Sequence, residues 1–139
     1  MSFKYQGWHR GFLCGLALGV LPLSAQAADL TIGFYGDAAG DAWLGAQQGI
    51  EENNAQGEFL GLHYTLAHLE ADELAPASVT AIVVAGDADT VRRVARNHPD
   101  TPILNVVSTD TALRADCVPN LFHTIPSERM KEDALRQWE

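Results

Sequence analysis

The chain has 139 residues, with 9 Lys+Arg against 18 Asp+Glu and a formal charge of −9. That length suits one domain rather than two, and 47% hydrophobic with 19% charged residues excludes disorder as the default. An acidic chain repels phosphates, which excludes nucleic acid and anionic membrane surfaces as expected partners. Two cysteines cannot build a disulfide framework or a Cys-rich zinc site.

The N-terminal stretch has its own pattern. Lys4 and Arg10 give a basic start, residues 11–23 are apolar, and Ala25-Gln26-Ala27 follows as small, polar, small. This predicts a secretory signal peptide over residues 1–27, cleaved after Ala27. Thirteen apolar residues rise about 20 Å as a helix, short of a hydrocarbon core of about 30 Å, so no stable membrane insertion is expected after cleavage. Cys14 is not preceded by the small residues that lipoprotein processing needs. The expected product is a soluble periplasmic protein of residues 28–139, with 7 basic and 18 acidic groups and a charge of −11. Its single thiol, Cys117, has no His or Lys neighbour to activate it and is expected to be buried.

Strands and helices then alternate. Residues 30–35 form a short β-branched and aromatic run ended by Gly36-Asp37, a first strand. Residues 41–54 place Trp43, Ala46 and Gly49-Ile50 at helical spacing, with Gly57 as the stop. Leu60, Leu62, Tyr64 and Leu66 alternate with smaller or polar residues as a second strand. Residues 81–85 are continuously apolar, as a central parallel strand covered on both sides should be. Residues 89–98 carry Val91, Val94 and Ala95 on one helical face, and Pro99 ends them. Residues 102–107 and 121–125 are the fourth and fifth strands. Ser127 caps a last helix that gathers Met130, Ala134, Leu135 and Trp138 on one face. The crossover at residues 70–80 is barely long enough and contains Pro76, which predicts a stunted or absent helix.

This alternation predicts an α/β fold: a single Rossmann- or flavodoxin-like lobe, with a five-stranded parallel sheet of order 2-1-3-4-5 and helices on both faces. In such a sheet, function lies beyond the carboxyl ends of the strands. That selects loops 36–41, 86–90 and 108–113, and Pro126-Ser127.

Gly33, Gly36 and Gly40 do not have dinucleotide-fingerprint spacing, and no phosphate-binding loop occurs. Asp87-Ala88-Asp89-Thr90-Val91 resembles the nucleophile loop of haloacid dehalogenase-type phosphatases and the phosphorylated end of receiver domains. Both need a lysine on the phosphoryl group, and the only one after residue 27 is Lys131, inside the last helix. Helix capping by Asp87 or Asp89 explains the same residues. No nucleophile elbow occurs. His63 and His68 fall on opposite faces of one strand, so a shared metal is not expected. No catalytic residue, metal or cofactor is expected, and the chain is not read as an enzyme.

The helix Gly45-Ala46-Gln47-Gln48-Gly49-Ile50-Glu51-Glu52-Asn53-Asn54-Ala55-Gln56-Gly57 resembles the first helix of type I periplasmic binding proteins, the branched-chain amino acid receptor group. It departs from their pattern at Gly49 and Asn53. Ser108-Thr109-Asp110 resembles their Ser/Thr loop after strand four. Leu121-Phe122-His123-Thr124-Ile125-Pro126-Ser127 resembles their fifth strand and the turn into the next helix. Residues 54–61, 113–117 and 120–127, with Met130 and Asp133-Ala134-Leu135, are most similar to a subgroup associated with pyrroloquinoline-quinone-dependent alcohol dehydrogenase systems.

The resemblance implies the first lobe of a two-lobed receptor that delivers a small-molecule solute to an ABC-type permease. The chain ends where the crossover to a second lobe is expected. It implies ligand contacts from the loops Gly86-Asp87 and Ser108-Thr109; for any bound ligand the expected contacts are backbone amides at Gly36 and Gly86, the hydroxyls of Ser108 and Thr109, and Asp37 and Asp87 as acceptors. Asp87 and Asp89 oppose a carboxylate at the helix amides, so a neutral or cationic solute is expected. The alternative is a periplasmic accessory or interaction domain that kept the fold without binding a ligand.

Overall fold

The computed structural model describes residues 28–70 and 78–138. The predicted signal peptide at residues 1–27 lies outside the described residues, as do residues 71–77 of the predicted crossover.

β1 (Ala28–Tyr35) leads through the Gly36–Gly40 turn into α1 (Asp41–Gly57). A single 3-10 turn at Glu58–Leu60 precedes β2 (Leu62–Leu69). β3 (Val79–Val84), α2 (Ala88–Asn97), β4 (Ile103–Asn105), the short α3 (Ala112–Ala115), β5 (Leu121–His123) and α4 (Glu128–Arg136) follow. The five strands form one parallel sheet in the order β2-β1-β3-β4-β5. This is the predicted topology.

Side chains alternate between the two faces of a strand, and here the faces have unequal fates. On one face Tyr35, Ile82, Val84, Ile103 and Leu121 pack with Val91, Val94 and Ala95 of α2 and Leu113 of α3. Ile82, Val84, Val91 and Ile103 are fully buried there. On the other face α1 covers β1 and β2. The Trp43 ring meets Phe34 edge-on at 5.1 Å and His68 at 5.7 Å. Further along that face the cover thins. Val83, Leu104 and Val106 are partly exposed, and Phe122 on β5 is 52% exposed.

Two residues of the helix motif have structural causes. The Asn54 side-chain amide donates to the Tyr64 carbonyl at 2.8 Å and accepts from its N–H at 2.7 Å, which locks α1 to β2. A Cβ at Gly57 would stand 2.7 Å from the Leu62 carbonyl oxygen, so only glycine lets the helix end there.

The structure also differs from expectation. Cys117 is exposed, not buried. It occupies the turn after α3 with φ 46°, while Leu113 on α3 takes the buried position and Val118 packs partly against the core. Strands four and five are shorter than predicted, ending at Asn105 and His123. The helix α3 was not predicted; four residues are too few for a visible period. α4 forms with its Ser127 cap, yet Met130, Leu135 and Trp138 are 52%, 71% and 91% exposed, so its apolar face does not pack.

Candidate functional site

The carboxyl ends of β3 and β4 stand side by side, since Val84 pairs with Asn105. The loops leaving them frame a wide-mouthed depression of about 770 Å³. Gly86, Asp87, Ser108 and Thr109 line it, so four of the six predicted binding residues come together. Asp110, Thr111 and Glu128 complete its rim.

Asp87 reaches this position as the N-cap of α2. Its carboxylate accepts the Thr90 N–H at 2.8 Å. That bond holds its carboxyl below the usual carboxylate range, with the Thr90 hydroxyl and the charge of Arg93 acting the same way. Asp89 is not on the rim. It reaches Arg92 at 3.4 Å, and Arg92 also bridges to Asp116 at 2.9 Å.

The β4 loop is shaped from beneath. Asn105, fully buried, accepts the Ser108 and Val107 N–H groups at 2.9 and 3.3 Å and donates to the Ser108 carbonyl at 2.7 Å. This side chain takes over the backbone groups a longer strand would have paired, so β4 goes no further than its last sheet bond, from Val106 N–H to Val84. The Glu128 N–H donates to the Thr109 carbonyl at 2.9 Å, tying the start of α4 to the same loop. Ser127 caps α4, accepting the Met130 N–H at 3.3 Å. With their backbones so engaged, the Ser108 and Thr109 hydroxyls have no protein partner among the described residues.

Gly36 and Asp37 do not join this depression. Gly36 lines a smaller cavity of about 280 Å³ on the β1–β3 side, with Tyr35, His68, Gly86 and Arg93. Gly36 has φ 152°, and an added Cβ would stand 2.9 Å from the Ala85 carbonyl oxygen. Its own carbonyl pairs with the His68 Nε2 at 2.8 Å. Asp37 turns inward on its loop and accepts the Ala39 N–H at 2.9 Å.

Sequence reasoning missed Asn105 and Glu128, and did not name Asp110 or Thr111 as binding residues although both lie in the 108–113 loop it selected. Asn105 ends an apolar strand, and a polar residue there was the available signal. Among the described residues, no three His, Cys, Asp or Glu side chains are grouped to hold a metal ion. No described helix is long and apolar enough to cross a membrane.

No protein-family model and no curated protein matches the chain. Solved structures do. An ABC transporter substrate-binding protein from Desulfitobacterium hafniense matches with a TM-score of 0.66 at 19% identity. A structure of such a protein from the same organism, in complex with Leu, matches with a TM-score of 0.67 at 18% identity. The chain has the fold of part of these ABC transporter substrate-binding proteins. Each match covers 80% of this chain and 38% of the other, so this chain spans well under half of those substrate-binding proteins. The likeness supports the periplasmic binding protein resemblance at the level of the fold.

Proposed function

We propose that this chain supplies the first lobe of a solute-binding component of an ABC-type transport system, exported to the periplasm. The carrying observation is the pair of free hydroxyls, Ser108 and Thr109, facing the Asp87 loop across the carboxyl edge of a substrate-binding fold. The permease and a second lobe, on this chain or another, are its partners. The quinoprotein alcohol dehydrogenase link rests on the motif resemblance at residues 54–61, 113–117 and 120–127, with Met130 and Asp133-Ala134-Leu135.

The rim sets the solute class. Asp87, Asp110 and Glu128 supply carboxylates, and among the described residues no basic side chain lines the depression. Asp87 already occupies one α2 amide, so a ligand carboxylate meets like charge rather than free donors. A neutral or cationic solute fits, with hydroxyl donors and acceptors contacting it. The open mouth buries less of a small solute than an enclosed pocket does, which makes binding by this lobe weak.

The test is an NMR titration of 15N-labelled protein with three probes of one carbon skeleton: 3-methylbutylamine, 3-methylbutanol and 3-methylbutanoate. The amine or the alcohol is expected to shift the Asp87, Ser108 and Thr109 amides, with the carboxylate inert. Shifts from the carboxylate alone would reverse the solute class. No shift at these amides with any probe would remove the solute-binding reading. The alternative, an interaction domain without a ligand, draws on Phe122, Leu135 and Trp138 lying open to solvent. Sedimentation analysis separates it, since such a domain self-associates or captures a partner through these side chains.

A further inference from the structure

Asn105 lines neither cavity, yet its buried amide uses its whole hydrogen-bonding capacity. Its oxygen accepts two backbone N–H groups, from Val107 and Ser108. Its nitrogen donates to the Ser108 carbonyl and, at 3.1 Å, to Nδ1 of His123 on the neighbouring strand. Only one orientation of the amide satisfies all four, because a flipped amide would aim N–H at N–H. His123 contributes the one side-chain partner. To accept at Nδ1, a neutral imidazole must carry its proton on Nε2.

We propose that Asn105 is the positioning residue of the solute shelf, shaping the Val107–Ser108 turn so that the Ser108 and Thr109 hydroxyls face the Asp87 loop, and that the Nδ1 atom of His123 orients its amide. This rests on reading the depression as the solute site. The residues act through the loop and touch no solute. An unpaired buried amide would be costly, so the arrangement is stiff, and the shelf is preorganised before any ligand arrives.

The test reads the protein without ligand first. Long-range 15N–1H correlation at pH 7.5 is expected to show His123 as the Nε2–H tautomer; an Nδ1–H tautomer overturns the assignment. In Asn105→Ala, the Val107 and Ser108 amides are expected to exchange about tenfold faster, the scale of one lost buried hydrogen bond. The Ile82 and Val84 amides, deep in the sheet, should keep their protection. Asn105→Asp keeps both acceptor bonds and places a carboxylate against His123. With the donor to the Ser108 carbonyl lost, the diagnostic readout is His123, whose pKa should rise, a response that a purely packing role does not produce. Unchanged exchange in Asn105→Ala, or an unmoved His123 titration in Asn105→Asp, overturns the proposal. If a variant fails to fold, the wild-type tautomer still decides. In the amine titration, Asn105→Ala should lose the Ser108 and Thr109 shifts. If no probe binds wild type, the solute reading fails while the tautomer and exchange results still judge Asn105.

Discussion

Two histidines fold into surroundings that favour their neutral form. Burial lowers the pKa of His98. Burial also lowers that of His123, helped by the positive charge of Arg114 and opposed by its bond with the Leu113 backbone. Arg114 itself is held by the Ile125 carbonyl, so this charge has a fixed place. The unfolded chain takes up protons at about pH 6.5, before the folded one does. Stability is therefore fully present above that pH and falls as pH drops through 6.5 towards the lower folded values. The urea midpoint should be lower at pH 5 than at pH 7.5. A His98→Gln, His123→Gln double variant should flatten that dependence; an equally steep one assigns it to other groups. Asp87, with its pKa lowered from 3.8, acts in a more acidic range and does not contribute between these two points.

At the scale of elements, α1 shows how the same residue type serves opposite ends. A Cβ at Gly45 or Gly49 would meet nothing within 4 Å. At Gly57 it would collide with the Leu62 backbone. Gly45→Ala and Gly49→Ala should each stabilise by about 0.5–1 kcal/mol, the usual gain from glycine to alanine inside a helix. Gly57→Ala should destabilise, because backbone rather than a movable side chain stands in the way. Thermal or urea unfolding of the three variants checks both signs. Glycine at positions 45 and 49 thus has no packing role among the described residues; Gly45 contributes to the family resemblance of this helix, whereas Gly49 departs from the family pattern. Asn54 and Gly57 do have structural roles, which separates residues that hold the fold from residues that merely mark it.

Across the whole molecule the two sheet faces differ in what they contribute to stability. Ile82 is fully buried against α2, whereas Phe122 on the opposite face is half open to solvent. Ile82→Ala should cost about 3 kcal/mol, transfer and cavity terms together. Phe122→Ala should stay within about 0.5 kcal/mol, as exposed substitutions do. Urea unfolding of both variants, at several protein concentrations, measures the difference. A comparable loss for Phe122, growing with concentration, would show that this face is covered in solution by another copy.

The order and type of the elements were legible in the chain. Continuous apolar runs such as Ala81-Ile82-Val83-Val84 and the helical spacing of Val91, Val94 and Ala95 reflect which backbone periodicity can bury apolar surface. Parallel connections then restrict the topology to few choices, so the sheet order followed. Asp87 as a helix cap was legible too, because capping depends on a residue and the three that follow it. What the tertiary structure decided depends on contacts between distant segments. Cys117 lies exposed while Leu113, four residues earlier, fills the buried position. α4 presents an amphipathic pattern whose apolar side remains exposed, since a periodicity states what a helix can bury and not what is there to receive it. Strand β4 goes no further than its last sheet bond, from Val106 N–H to Val84, because the Asn105 side chain, supported by His123 eighteen residues away, takes the Val107 and Ser108 amides. The same capture assembled the shelf of Ser108 and Thr109 opposite Asp87, an arrangement that exists only once three separate loops meet at one edge of the sheet.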